Sequence, residues 1–398
     1  MGMTCLFQTR KCDTPRPFEP PAWACHFNSC DELPYGIDGH RWWQMGYWWV
    51  ELGGEHHSIH DTEVLRHELL RIAYGVWDHI KNHCPMKKEA ENWTLEWIQF
   101  LPGKRESRRY IGAHVLTQND IESEGRFDDI VAYGGWSMDD HNPAGFNSVR
   151  IKAPSTIFHP APSPYGIPFR CLYSRNISNL MFAGRDASCT HAAMSSTRIM
   201  GTCCNMGQAA GAAAAMAVEK GILPRDMPPH IDALQQTLLR DDVYIPWLRQ
   251  RFSPLTNQSR LVASRGNPEP VRDGINRPVG NDLHSWECTA GDHLAYMFPR
   301  ENIINSAVLI LESGLDRNIA MSYHGAYNCQ AAIMPDGMPK AFRIEGLING
   351  QWLELARVDR NRRRMMNFRI DRKLAGIRFV LEATYGNAAS RVFAFYIE

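Results

Sequence analysis

Hydrophobic residues recur along this chain with two different periods. Over residues 61–82 apolar side chains return every three or four positions, which predicts an amphipathic helix that begins at Asp61. The same pattern over residues 231–240 predicts a second, shorter helix. Apolar runs predict strands at 95–101, 165–173 and 180–183, and an aromatic run predicts one at 40–52 that packs in the core or lines a ligand cavity.

From about residue 258 the helical period gives way to short strands separated by turns. Such strands at regular spacing predict an antiparallel β-sandwich. They cover residues 307–311, 341–344, 352–355, 376–381 and 391–397. We therefore expect an α+β fold followed by an all-β jelly-roll sandwich, with domains at 1–160, 161–255 and 256–398.

The composition excludes several classes of partner and site. The 398 residues include 43 basic and 43 acidic side chains, so charge gives no reason to expect nucleic acid or an anionic membrane surface as a partner. No apolar run reaches the ~18 residues of a membrane span, and the first residues do not read as a signal peptide. The 11 cysteines include no Cys-x-x-Cys pair, which predicts neither a disulfide framework nor a zinc site. No metal site is expected.

Residues 179–220 have the most specific pattern in the chain. Gly184 ends a short apolar run, where glycine permits a tight turn. Asp186 follows, and a carboxylate there can accept hydrogen bonds from ligand hydroxyls. The small residues Gly207, Ala209, Ala210 and Gly211 open an alanine-rich helix, whose unpaired first-turn amides favour negative charge. A buried helix packed on a sheet explains the same pattern without a ligand.

Two charged runs offer chemistry. Four of the six residues at 104–109 are basic, and arginine side chains suit a carboxylate or phosphate; a solvated loop or ion pairing with Glu106 is the alternative. The run Asp139-Asp140-His141 follows a Gly-Gly turn and offers groups for acid–base catalysis. His141 is the first candidate for a proton acceptor, with Asp140 or Asp139 orienting it. An ordinary loop with capping aspartates explains this run equally well.

Residues 179–220 resemble the closing segment of the FAD-dependent oxidoreductases related to glutathione reductase and fumarate reductase. In that family a late strand, a glycine turn and a Gly/Ala-rich helix complete the FAD site. Residues 133–141 and 165–173 are also similar to family motifs, and the resemblance extends over roughly residues 1–250. The matching residues of the closing segment are Gly184, Arg185, Ser188, His191, Ser196, Arg198, Met200, Thr202, Cys203, Met206, Gly207, Gln208 and Gly211.

The resemblance implies that FAD is the cofactor and that a hydride passes to it from a small polar substrate, a sugar among the candidates. It implies cofactor contacts from Gly184, Arg185, Asp186, Gly207, Gln208, Ala210 and Gly211. The candidate catalytic residues are His141, His191, Asp140, Arg105 and Arg109. The C-terminal segment resembles galactose-binding-like jelly rolls, which implies a carbohydrate partner.

One element of the family is missing from the sequence. Its members begin with a strand, a G-x-G-x-x-G loop and a helix that hold the FAD pyrophosphate, and no G-x-G-x-x-G occurs here. We therefore expect the C-terminal portion of such a protein, with a second chain able to supply the dinucleotide-binding half. The alternatives are a flavin-less carbohydrate-binding or scaffold protein, and a polysaccharide lyase that uses Tyr133, His141 and Arg109. Whether the chain is an active enzyme stays open at this point.

Overall fold

The structure is a computed structural model that describes residues 1–41, 46–315 and 334–398. The described residues form two compact units, Met1–Leu234 and Gln235–Glu398. No helix in the described ranges is long and apolar enough to cross a bilayer.

The first unit combines short strands with helices. The helices are Thr62–Asp78 (α1), Gln118–Glu122 (α2), His191–Thr197 (α3), Met200–Lys220 (α4) and Ile231–Arg240 (α5), which continues into the second unit. The strands are Met3–Thr4 (β1), Phe7–Lys11 (β2), Glu51–Leu52 (β3), Trp93–Ile98 (β4), Gly103–Lys104 (β5), Ile130–Gly134 (β6), Met138–His141 (β7), Thr156–His159 (β8) and Tyr165–Pro168 (β9). They form a three-stranded sheet in the order β3-β1-β5 and the antiparallel pairs β2–β4, β6–β9 and β7–β8.

Helix α1 packs at the centre of the apolar core of this unit. It confirms the helix predicted from the apolar period of residues 61–82. Its apolar stripe is buried against the strands and loops of the first sixty residues, and a wide turn, His79–His83, continues it. The buried residues of the stripe include Leu65, Leu69, Ile72, Ala73, Val76 and Trp77. Burying each such side chain contributes on the order of 1.5–3 kcal/mol, so this stripe fixes the helix in place.

Three local predictions for this unit were wrong. Residues 180–183 form an isolated bridge between Met181 and Tyr173 instead of a strand. The aromatic run at 40–52 contains only the two-residue strand β3 within the described ranges, and residues 42–45 lie outside them. Helix α4 begins at Met200, so Gly207 lies well inside it and its amide is not one of the unpaired first-turn donors.

The second unit is an all-β sandwich, which confirms the predicted fold class. Its strands are Arg260–Ala263 (β10), Trp286–Cys288 (β11), His293–Leu311 (β12), Pro339–Ile348 (β13), Gln351–Val358 (β14), Met365–Thr384 (β15) and Ser390–Ile397 (β16), with a short helix Pro254–Gln258 (α6). The strand order is β11-β16-β12-β15-β13-β14, and β10 also pairs with β12. All five predicted strands lie within longer observed ones.

Two long strands give the sandwich its shape. β12 and β15 pair over two stretches, and their register shifts between Met297 and Asn302. The first stretch of β12 also pairs with β10, and the second pairs with β16. The inward side chains of these strands enclose one apolar core that includes Trp286, Phe342, Phe379 and Phe395.

Candidate functional site

Strand β7 determines how the charged residues of the first unit are divided. Successive side chains of a strand point to opposite faces. Asp139 and His141 therefore share one face, where they meet Arg198, while Asp140 lies on the other face and contacts His191. The result is two separate groups of charged side chains, each centred on one histidine.

The first group, which we call the His141 cluster, contains Glu51, Arg105, Asp139, His141 and Arg198. The three-stranded sheet assembles part of it: β1 lies between β3, which carries Glu51, and β5, which ends immediately before Arg105. Strand β7 supplies Asp139 and His141, and Arg198 directly follows α3.

His141 is oriented by a carboxylate that the sequence did not indicate. Its Nδ1 lies 2.6 Å from Oε2 of Glu51, and its Nε2 lies 3.2 Å from Nη2 of Arg198 and 3.4 Å from Nη1 of Arg105. Arginine can only donate hydrogen bonds. The short contact with Glu51 therefore assigns a proton to Nδ1, and the two arginine donors favour Nε2 as an acceptor, with Oδ2 of Asp139 also 3.4 Å from Nε2.

The acidic members of the His141 cluster are held in their charged form. Burial alone would raise the pKa of Glu51, but the hydrogen bond from His141 and the charge of Arg105 outweigh it and lower that pKa. His141 and Arg198 lower the pKa of Asp139 against the same opposing effect of burial. The backbone amide of Gly2 also donates to Glu51, at 2.6 Å. The cluster thus balances two carboxylates against two arginines in a largely buried site.

Some polar atoms of the His141 cluster are left without partners. Nε of Arg105, Nε of Arg198 and Oδ1 of Asp139 are buried and have no hydrogen-bond partner within the described ranges. Buried polar groups are nearly always paired, and leaving one unpaired costs about 1–3 kcal/mol. Two free donors beside a histidine acceptor fit a ligand that carries oxygen atoms.

The second group, which we call the His191 cluster, contains Glu106, Arg109, Asp140 and His191. His191 is the first residue of α3, where the Thr190 side chain caps the helix. Its Nδ1 lies 2.9 Å from Oε2 of Glu106, and its Nε2 lies 3.1 Å from Oδ1 of Asp140. The hydrogen bond to Glu106 raises the pKa of His191, although partial burial opposes this. His191 is therefore favoured as a cation.

The remaining predicted catalytic residues fall into different places. Arg105 belongs to the His141 cluster. Asp140 does not orient His141, because it lies on the opposite face of β7 and pairs with His191. Arg109 pairs with Glu106, and its Nε donates to the carbonyl oxygen of Cys189 at 3.0 Å. Two of its three guanidinium nitrogens thus donate within the protein.

A cationic cleft opens at the predicted glycine turn. It has a volume of about 340 Å³ and is lined by Lys104, Arg105, Ser107, Arg108, Arg185 and Asp186. Gly184 has a φ of +88°, which a residue with a side chain rarely adopts. A Cβ atom at this glycine would lie 4.0 Å from Cys203 at the start of α4. The turn therefore lies against this helix, and Arg105 belongs both to the cleft and to the His141 cluster.

Helix α4 presents a smooth face beside this turn. Its opposite face is buried through Thr202, Met206, Ala209, Ala213 and Ala217. Gly207, Gln208 and Gly211 are exposed, and Ala210 is half-buried. A Cβ atom added at Gly207 or Gly211 would meet nothing within 4 Å. A flat ring can approach such a face closely.

These features fit one end of FAD. The cleft offers cations for oxygen atoms, and the glycines of α4 leave room for a planar ring. The described strands and helices do not include a strand–glycine-loop–helix unit for the pyrophosphate.

The sequence missed Glu51 as a site residue and gave Asp139 and Arg198 less weight than the structure does. Glu51 is 90 positions from His141 in the chain, so no local motif connects them. Arg198 stood among the matching family residues, and that match was the available signal. Asp139 was one of two aspartates considered, and strand alternation could have separated it from Asp140.

Comparisons with known proteins agree with the first unit's character. A family model described as FAD dependent oxidoreductase matches residues 6–238. No curated protein matches the chain.

Among solved structures, three carbohydrate-binding modules show a weak similarity. Chitosan-binding module 1 of a chitosanase/glucanase from Paenibacillus sp. IK-5 is 10% identical over 36% of this chain and 97% of its own, with a TM-score of 0.26. The family 32 module of Streptococcus pneumoniae EndoD is 10% identical over 35% of this chain and 95% of its own, with a TM-score of 0.26. The family 32 module of C. perfringens NanJ, in complex with galactose, is 10% identical over 35% of this chain and 93% of its own, with a TM-score of 0.26.

These structural similarities are too low to carry an argument, and the sandwich is defined by its own strands. The family model, by contrast, covers more than half of the chain, from residue 6 to residue 238. The chain therefore belongs to the FAD dependent oxidoreductase family.

Proposed function

We propose that this family member oxidises a small anionic or polyhydroxy substrate, such as a sugar derivative, that binds in the cationic cleft. The observation that carries the proposal is the double position of Arg105. This side chain lines the cleft, and its Nη1 lies 3.4 Å from Nε2 of His141. A substrate oxygen in the cleft would therefore be next to an oriented proton acceptor.

FAD would be held by the turn Gly184, Arg185 and Asp186 and by the smooth face of α4 with Gly207, Gln208, Ala210 and Gly211. When bound, FAD supplies the acceptor for a hydride. The substrate's own chemistry then requires a group that takes a proton as the hydride leaves.

His141 is the proposed proton acceptor. Glu51 holds its Nδ1–H at 2.6 Å, which keeps Nε2 as the acceptor and stabilises the imidazolium once it forms. Arg105 and Arg198 donate to Nε2 in the structure. A substrate oxygen that takes over these arginine N–H groups would leave Nε2 free for its proton.

His191 has a different proposed role. Both of its ring nitrogens face carboxylates, and the hydrogen bond to Glu106 raises its pKa. A histidine whose pKa is raised is more readily protonated, which makes it a weaker candidate for the proton acceptor. We assign His191, with Arg109, to positioning β7 and the start of α3.

The absorbance spectrum of the purified chain, with and without added FAD, tests this function first. We expect a flavin band that is released on denaturation, and its bleaching under anaerobic conditions by a sugar or a sugar acid. A chain that carries no flavin and takes up none from added FAD would overturn the proposal and favour the flavin-less binding protein. Activity on uronic-acid polymers without flavin would favour the lyase.

A further inference from the structure

Two cysteines and two histidines from separate segments of the first unit meet at the end of α1. Cys30 begins a short helical turn, Cys30–Glu32, that the Ser29 side chain caps. His40 directly follows the next turn, Gly36–Gly39. His79 and Cys84 lie at the two ends of the wide turn that continues α1. None of the four residues belongs to the His141 cluster, the His191 cluster or the proposed FAD site.

The distances between their donor atoms fit one tetrahedral metal ion. Sγ of Cys30 lies 3.4 Å from Nε2 of His79 and 3.6 Å from Nε2 of His40. Sγ of Cys84 lies 3.4 Å from Nε2 of His40 and 4.0 Å from Sγ of Cys30. Zinc bonds of ~2.3 Å to sulfur and ~2.0–2.1 Å to nitrogen place tetrahedral ligands roughly 3.3–3.8 Å apart. All four donor atoms lie within 4.8 Å of one another.

The surroundings also prepare the four residues for a metal. Nδ1 of His79 donates to the carbonyl oxygen of Phe27 at 3.0 Å, which directs the lone pair of Nε2 to the centre of the group. His40, His79 and Cys84 are fully buried, and both cysteines are free. Two thiolates would neutralise a divalent cation, so the filled site would carry no net charge into the interior.

We propose that Cys30, His40, His79 and Cys84 bind one Zn²⁺ ion. Two sulfur and two nitrogen donors in tetrahedral positions suit zinc, whereas Mg²⁺ and Ca²⁺ prefer oxygen ligands. Four protein ligands leave no open position for a substrate, so the site is structural and not catalytic. Spacing along the chain gave no sign of it, because no two ligands form a Cys-x-x-Cys or His-x₃-His motif.

The ion would tie the segment between Cys30 and His40 to α1. This segment carries Tyr35, whose hydroxyl group lies 2.7 Å from Oγ1 of Thr156 and whose ring centre lies 5.5 Å from that of Trp48. The Trp48 ring in turn lies 5.7 Å from the ring of His141. Zinc would thus hold one wall of the His141 cluster without touching the reacting groups.

Metal analysis of the full chain, expressed without a polyhistidine tag and purified without chelator, tests the proposal. We expect inductively coupled plasma mass spectrometry to find one zinc ion per chain. Replacement by Co²⁺ should give the intense visible bands of tetrahedral cobalt and a near-ultraviolet sulfur-to-cobalt band. Protein that binds no zinc, and Co²⁺ spectra without a sulfur band, would overturn the site. Copper or iron at one per chain would overturn the assignment to zinc.

Variants locate the ion. Cys30→Ser and His79→Asn should reduce bound zinc at least tenfold, while Cys25→Ser, a cysteine on the same segment, should keep it. A neighbouring group of His26, Asp78 and His83 could also hold a metal. Loss of zinc in His83→Ala but not in Cys30→Ser would place the ion there and overturn the proposal. The cobalt titration uses unmodified protein, so the test stands even if Cys30→Ser fails to fold.

Discussion

The His141 cluster and the His191 cluster each combine a histidine with carboxylates and arginine. Neighbouring residues of strand β7 contribute to both clusters. They differ in burial and in partners. The His141 side chain is 1% exposed and faces two arginines as well as the carboxylates of Glu51 and Asp139, whereas that of His191 is 42% exposed and its two ring nitrogens face carboxylates alone. Arginine donors favour Nε2 of His141 as an acceptor, while the two carboxylates raise the pKa of His191 and so favour its protonated form. The environment, and not the residue type, thus decides which histidine can take a proton.

The largest expected difference between the clusters is in the rate of flavin reduction. His141→Gln should lower this rate by about 10²–10⁴-fold, the usual contribution of a general base, with little change in substrate affinity. His191→Gln should lower it by less than about tenfold, because His191 supplies position and charge. Anaerobic stopped-flow measurement of FAD bleaching separates the two. Equal losses in both variants would contradict the assignment of His141 as the base.

The next largest difference is in stability. Glu51→Ala leaves Arg105 and His141 without their shared carboxylate inside the protein, and breaking a buried pair in this way costs about 3–5 kcal/mol. Glu106→Ala removes a carboxylate that is itself 14% exposed but faces a histidine that is 42% exposed, so solvent screens the loss and the cost should be smaller. Urea unfolding gives both free energies.

Glu51→Gln is the matched control, since it keeps the shape and one acceptor oxygen, and it should fall between the two alanine variants. If Glu106→Ala destabilises the protein as much as Glu51→Ala, the contrast in burial does not govern these clusters.

A smaller effect should appear in the pH dependence of stability. His191 has a raised pKa, so its contribution is present below the ordinary histidine value of 6.5 and is lost as the pH rises through the folded value. Burial would raise the pKa of Glu106, but the hydrogen bonds and positive charges of His191 and of the Met1 ammonium group together outweigh it and lower that pKa to about 2. Its contribution is present above its ordinary value of 4.5 and is lost as the pH falls towards 2.

The His191–Glu106 interaction should therefore stabilise the protein most between pH 4.5 and pH 6.5. Urea midpoints of the unmodified protein and of His191→Gln, measured across this range and on both sides of it, give the difference directly. A difference that keeps growing above pH 7 would contradict the raised pKa.

How far the sequence predicted these features depends on the range of the interactions. The strands of the sandwich and helix α1 were predictable because the spacing of their apolar residues is a local property of the sequence. In β12 and β15 the apolar residues that point into the core are themselves the pattern that predicts the strands. The start of α4 was not predictable, because alanine favours a helix at every position and the helix accommodates Gly207 in its interior despite the lower helix propensity of glycine. The partnership of Glu51 with His141 depends on the sheet β3-β1-β5, which no local pattern encodes. The meeting of Cys30 with Cys84 depends in the same way on where α1 ends.

The smallest expected effect tests the smooth face of α4 as a flavin surface. An added methyl group at Gly207 meets nothing within 4 Å, so Gly207→Ala should raise the free energy of unfolding of flavin-free protein by roughly 0.8–1 kcal/mol through helix propensity. If FAD lies against this face, the same methyl group should weaken FAD binding, which a fluorescence titration measures. Gly221→Ala is the control, because Gly221 ends α4 with a φ of +64° and alanine there should destabilise the protein. A Gly207→Ala protein that is more stable and binds FAD unchanged would remove this part of α4 from the cofactor site, and the turn Gly184–Asp186 would then have to hold the flavin without it.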